Sequence, residues 1–165
     1  MIQIISALDD ATQKESKNMK PGIDYIAVAT PFYCTDGKGS WLLHKRSKNC
    51  RDEQGVWDFG SGKLEFSQTL EESVLREVRD KYGCARKILE KLPAFSHLRE
   101  QNGIKTHWVA VPFIVKINPI EVINGEPEKI DEIKWFTSES LPSSLHSGVI
   151  AAFEKYKEMF KKYSR

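Results

Sequence analysis

The string GKLEFSQTLEESVLREVRDKYGC spans residues 62–84 and carries both ends of one helix. Thr69 stands three residues before Glu72, the spacing at which a hydroxyl and a carboxylate each satisfy the other's backbone N–H at a helix start. Gly83 supplies the residue that tolerates a left-handed stop, so the pattern predicts a helix over TLEESVLREVRDKY, residues 69–82. At about 100° per residue, Leu70, Val74, Leu75, Val78 and Tyr82 fall on one apolar arc. Ser73, Glu77, Asp80 and Lys81 fall on another, with Glu77 and Asp80 neighbours at i, i+3 and Glu77 and Lys81 at i, i+4.

Two carboxylates on one arc, next to the irregular Gly60-Ser61-Gly62, suit a hard cation such as Mg²⁺, which takes carboxylate and carbonyl oxygens. The same spacing also describes a solvated helix face carrying an i, i+4 salt bridge, and spacing alone does not separate the two.

Outward from the helix, DYIAVATPFYC, the turn TDGKG and SWLLHKRS predict a β-hairpin. Pro31 inside its first strand implies an edge position or a bulge, because proline has no N–H for a ladder. A short strand is expected at Val56–Phe59, broken by Gly60-Ser61-Gly62. Ile88–Leu98 and Lys105–Ile117 read as two strands joined through Gln101-Asn102-Gly103, 119–129 as a loop, Glu132–Thr137 as a last strand and Val149–Tyr163 as one terminal helix. The expected fold class is α/β, one mixed sheet layered with helices, over residues 21–165 and preceded by an extension at 1–20.

A length of 165 residues fits one such domain. Twenty-five Lys+Arg against 23 Asp+Glu leave a formal charge of +2, which gives no electrostatic ground for nucleic acid as a partner. No apolar run reaches the roughly 18 residues a bilayer span needs, and the first twenty residues are too polar for a secretory signal, so the expectation is a cytoplasmic chain without a membrane partner. Cys34, Cys50 and Cys84 are odd in number and lack metal-site spacing, so reduced, unpaired thiols are expected.

The stretch Gly62–Cys84 resembles the box of the Nudix hydrolase family, whose pattern is G x5 E x7 R E U x E E x G U, with U a bulky apolar residue. Gly62, Arg76, Glu77, Val78 and Gly83 match, and Asp80 is a shortened form of the first paired glutamate. Gln68 replaces the early glutamate, Lys81 the second of the pair, and Cys84 takes the last apolar place. TPFYCTDGKGSWLLHKRS, GVWDFGSGKLEF and EPEKIDEIKWFTSESLP resemble the family's first hairpin, its approach to the box and its late strand, so the likeness covers most of residues 24–163.

The resemblance implies a Nudix-type α/β/α sandwich around a mixed β-sheet. It also implies hydrolysis of a pyrophosphate bond in a nucleoside diphosphate-linked substrate, with Mg²⁺ or Mn²⁺ as cofactor. By likeness, Glu77 would be a metal ligand and base, Asp80 a second ligand, Arg76 the residue orienting them, and Ser61-Gly62 a source of a backbone carbonyl. Nucleoside triphosphates are the expected substrate class, releasing a nucleoside monophosphate and pyrophosphate. Lys81 changes the local charge by two units against the family pattern, which weakens cation binding and suits contact with a phosphate. Gln68 and Lys81 together also suit a noncatalytic nucleotide- or partner-binding member.

Other positions are expected to contribute less. His44, Lys45 and Arg46 end the second strand where the family often puts phosphate-contacting cations, and Arg51 with Lys48 could face a phosphate from the loop; each is also an ordinary polar strand end or solvated loop charge. Trp57, Trp108, Phe113 and Trp135 read as core, with one open to stacking on a base. His97 and His107 read as structural. Glu126, Glu128, Asp131 and Glu132 are expected as a solvated acidic loop, in a place where some relatives carry a distant carboxylate.

Overall fold

In the computed structural model, residues 19–164 are described; most of the expected extension at 1–20 lies outside them. The first hairpin forms as β1 (Ala27–Thr35) and β2 (Ser40–Arg46). β3 (Trp57–Asp58) and β4 (Gly60–Lys63) precede helix α1 (Leu70–Tyr82). Then follow β5 (Arg86–Lys91), β6 (Phe95–Gln101), β7 (Ile104–Ala110), β8 (Phe113–Ile117) and β9 (Ile130–Thr137), ending in α2 (Ser147–Lys155) and α3 (Lys157–Tyr163). All nine strands belong to one mixed sheet.

α1 has the expected ends. Thr69 Oγ1 accepts from Glu72 N at 3.2 Å, Glu72 Oε2 accepts from Thr69 N at 2.8 Å, and Gly83 closes the helix at φ +62°. Its apolar arc presents Val74, Val78 and Tyr82, all fully buried, to Phe32, Cys34, Phe113 and Val115 on one side of the sheet. Each such side chain contributes roughly 1.5–3 kcal/mol. On the opposite side Tyr33, Trp41, Leu43 and Ile114 meet Val149 of α2 and Phe160 of α3, where Phe59 and Phe160 stack at 5.9 Å. The sheet therefore lies between helices, as an α/β/α sandwich.

Four expectations are corrected. Pro31 lies in the central strand, not at an edge: β1 pairs antiparallel with β4 along one side and parallel with β7 and β8 along the other. Val111 N donates to Ala29 O, and strand residues two apart share a side, so the nitrogen without hydrogen at Pro31 faces the gap between β7 and β8. Gly60-Ser61-Gly62 is not a break but strand β4, with Ser61 opposite Pro31. The two long strands expected at 88–98 and 105–117 are four, because Pro93 and Pro112 interrupt each ladder; Asn102-Gly103, with both φ positive, makes the turn between β6 and β7. The terminal helix divides at Tyr156, whose backbone leaves helical geometry (φ −114°, ψ 29°) while its hydroxyl donates to Pro93 O at 2.7 Å. Cys34 and Cys84 are buried and Cys50 half-buried, each a free thiol. Among the described residues no helix is long and apolar enough to cross a membrane.

Candidate functional site

β4 carries the site because its two faces serve different neighbours. Alternate residues of β1 sort to opposite sides: Thr30 faces α1, where its hydroxyl lies 3.1 Å from that of Ser73, whereas Ala29, Pro31 and Tyr33 line a cleft of about 430 Å³. Ser61 and Lys63 of β4, in register with Pro31 and Ala29, stand on the cleft side. Gly62 faces α1, and a Cβ there would fall inside the Glu77 side chain. Glycine at 62 thus lets the Glu77 carboxylate sit directly against the strand that floors the cleft.

β6 and β7 contribute Phe95, His97, Arg99 and Trp108 to the cleft, and the start of α2 contributes His146, Gly148 and Val149. A charged network closes one end. Arg46 donates to Asp52 Oδ1 at 2.8 Å, to Asp58 Oδ2 at 3.0 Å and to the carbonyls of Asp52 and Glu53, so its guanidinium is spent within the protein. Arg99 donates to Glu53 at 2.7 Å, and Glu53 accepts from both the N–H and the hydroxyl of Ser147. Gly148 N donates to His146 Nδ1 at 2.9 Å, which leaves the proton on Nε2, 3.2 Å from Glu53 Oε1. Burial pushes the Asp58 carboxyl up against the pull of His146 and Arg46. Burial acts the same way on Asp52, but Arg51, Arg46 and Arg99 outweigh it and hold that carboxyl below its ordinary value. Burial also lowers His97.

On the α1 side, Glu77 is held at both oxygens. Arg76 lies 3.0 Å from Oε1 and Lys81 Nζ 3.6 Å from Oε2. Lys81 Nζ is also 2.8 Å from Glu126 Oε2, and its side chain is only 12% exposed. The loop after β8 brings Glu126 there: Ile123 N and Gly125 N donate to the carbonyls of Tyr82 and Lys81, capping the end of α1. Asp80 takes no part, being 45% exposed and paired with Arg79 at 2.9 Å. Gln68 Oε1 and Arg76 Nε are buried with no hydrogen-bond partner.

Of the residues singled out in the sequence, Arg76, Glu77, Lys81 and Gly62 come together, Arg46, Arg51 and Ser61 line the cleft, and Lys45 stands apart on β2 opposite Trp57 and Glu132. Trp57 and Phe113 are core, whereas Trp108 and His97 line the cleft. Glu126 is drawn onto Lys81 instead of standing in a solvated loop. Asp52, Glu53, Asp58, Arg99 and His146 had no motif to mark them, since they come from the loop after β2, from β3 and β6 and from the start of α2, and meet only in the folded chain.

An α/β/α sandwich whose cleft and box helix share one glycine-bearing strand defines a class of protein, and comparison gives its family. Residues 26–158 match the NUDIX domain, and the chain belongs to that family. It is similar to Nudix hydrolase 3 of Caenorhabditis elegans, at 26% identity over 109 residues, which are 66% of this chain and 44% of that protein; the match thus spans less than half of that relative. The crystal structure of a MutT NUDIX hydrolase from Burkholderia pseudomallei superposes with a TM-score of 0.68 at 27% identity, covering 79% of this chain and 97% of that one. A NUDIX hydrolase from Nitrosomonas europaea shares the fold with a TM-score of 0.64 at 17% identity, over 87% and 78%.

Nudix hydrolases generally use divalent metal ions. The side chains as they stand do not fit one. Among the described residues no group of three or more His, Cys, Asp or Glu is placed to hold a metal, both Glu77 oxygens face built-in cations, and Asp80 is turned to Arg79.

Proposed function

We propose that this chain binds a nucleotide in the cleft and hydrolyses a pyrophosphate bond in it, with nucleoside triphosphates as the leading substrate class. The observation that carries this reading is the shared strand: β4 lends Ser61 and Lys63 to the cleft and sets Gly62 against Glu77. A nucleotide whose base lies against Phe95 and Trp108 has its phosphates directed along β4, with the exposed Arg51 and Lys63 as cations at the rim. Water attacking a phosphorus held beside Gly62, which both lines the cleft and packs against Glu77, would lose its proton to Glu77 as the bridging oxygen departs with the leaving phosphate, while Arg76 fixes the orientation of Glu77. A cytoplasmic setting, where nucleotides are plentiful, suits this activity.

Lys81 favours a second reading, a nucleotide-binding protein without turnover, because an ammonium beside Glu77 restrains it as base. Release of phosphate and pyrophosphate from a panel of nucleoside triphosphates, diphosphates and nucleotide sugars, measured with Mg²⁺, with Mn²⁺ and with EDTA, separates the two. Hydrolysis of at least one member supports the enzyme. Tight nucleotide binding with no product from any member supports the binder.

A further inference from the structure

We propose that the ammonium of Lys81 is the resident cation of the box helix, standing between Glu77 and Glu126 where a divalent ion would have to sit, so that the free protein takes up no divalent ion. The placement is fixed on three sides. Lys81 Nζ is 2.8 Å from Glu126 Oε2 and 3.6 Å from Glu77 Oε2, and the side chain is nearly buried, unlike a lysine waving in solvent. The loop bearing Glu126 is pinned to the last turn of α1 by Gly125 N donating to Lys81 O at 2.8 Å. Glycine is needed at 125, because a Cβ would fall on the Asp80 carbonyl.

Charge reaches the same result. Glu77 and Glu126 contribute two negative charges, Lys81 and Arg76 two positive ones, so the set is neutral before any ion arrives. A divalent ion entering it would meet an ammonium and a guanidinium within a few ångströms instead of free carboxylates. Arg76 commits a second cation to Glu77: its terminal nitrogen lies 3.0 Å from Oε1 while its Nε stays buried and unpartnered. Asp80, turned outward to Arg79, adds no compensating charge.

The inference stands apart from the hydrolase reading, since it concerns the protein without nucleotide. It is tested by titrating the full chain with Mn²⁺ and following the free aqueous ion by electron paramagnetic resonance. Wild type should take up none through the low millimolar range. Lys81→Met should open the position and bind one Mn²⁺ at least about tenfold more tightly, Lys81→Glu more tightly still, and adding Glu126→Gln to Lys81→Met should remove the gain. Thermal unfolding establishes that each variant is folded, and Lys81→Gln, which keeps a polar stem, replaces Lys81→Met if that variant is not. Stoichiometric Mn²⁺ uptake by wild type overturns the proposal, as does a folded Lys81 variant that binds no more than wild type. Product release from nucleotides is measured separately, so failure here and failure of the hydrolase reading are distinct results.

Discussion

Glu126 reaches Lys81 at 2.8 Å across 45 residues of sequence, and the ion pair ties the loop after β8 to the end of α1. Removing the ammonium leaves Glu77 and Glu126 facing one another in partly buried positions. Lys81→Met should therefore lower stability by about 1–3 kcal/mol in metal-free buffer. Adding Mg²⁺ at about a hundred times its dissociation constant should restore about 2.7 kcal/mol in the variant and nothing in wild type. Thermal shift with and without Mg²⁺ checks both.

Gly62 and Gly55 should respond to alanine for different reasons. A Cβ at 62 would overlap Glu77, so Gly62→Ala should cost about 1–3 kcal/mol and displace the carboxylate. Gly55 has open space around it but a φ of +75°, so Gly55→Ala should cost only about 1–2 kcal/mol of backbone strain and leave nucleotide binding unchanged. Urea unfolding midpoints and nucleotide affinity, measured side by side, distinguish collision from strain.

The start of α1 makes a separate prediction. Thr69→Ala removes the acceptor for Glu72 N and should destabilise the chain by about 1 kcal/mol. Thr69→Ser keeps the oxygen and should recover most of it, as read from the same unfolding midpoints.

Acid should act through His44, which is buried with Nδ1 2.8 Å from the Tyr82 hydroxyl. Burial, assisted by Lys81, Arg46 and His146, lowers its pKa to about 3. The unfolded chain binds a proton near pH 6.5 and the folded chain does not, so this contribution to stability is complete above about 6.5. It falls as the pH drops toward 3, by about 1.4 kcal/mol per unit. Urea unfolding of wild type and His44→Gln from pH 7 to pH 4 should show the shallower slope in the variant.

Local signals carried the helix and the first hairpin. Thr69, Glu72 and Gly83 mark both ends of α1 because capping acts over a few residues, and Asn102-Gly103 marks the turn between β6 and β7 for the same reason. Pro31 misled because the cost of its missing N–H depends on which strand lies beside it, and here it faces the gap between β7 and β8. Gly60-Ser61-Gly62 reads as a break by propensity, yet pairing with β1 and the need to clear Phe32 and Glu77 make it a strand of glycines. The box residues were legible as a pattern. Their pairing with Glu126 was not, because it depends on loop docking 45 residues away.

Glu77 is proposed to act as base on a nucleotide held by the neighbouring cleft, and steady-state kinetics of Glu77→Gln against wild type on the best substrate of the panel tests this most directly. The expected result is a fall in kcat of at least about a hundredfold with KM little changed, since the cleft stays intact while the base is lost. A Glu77→Gln variant that turns over at the wild-type rate would contradict it.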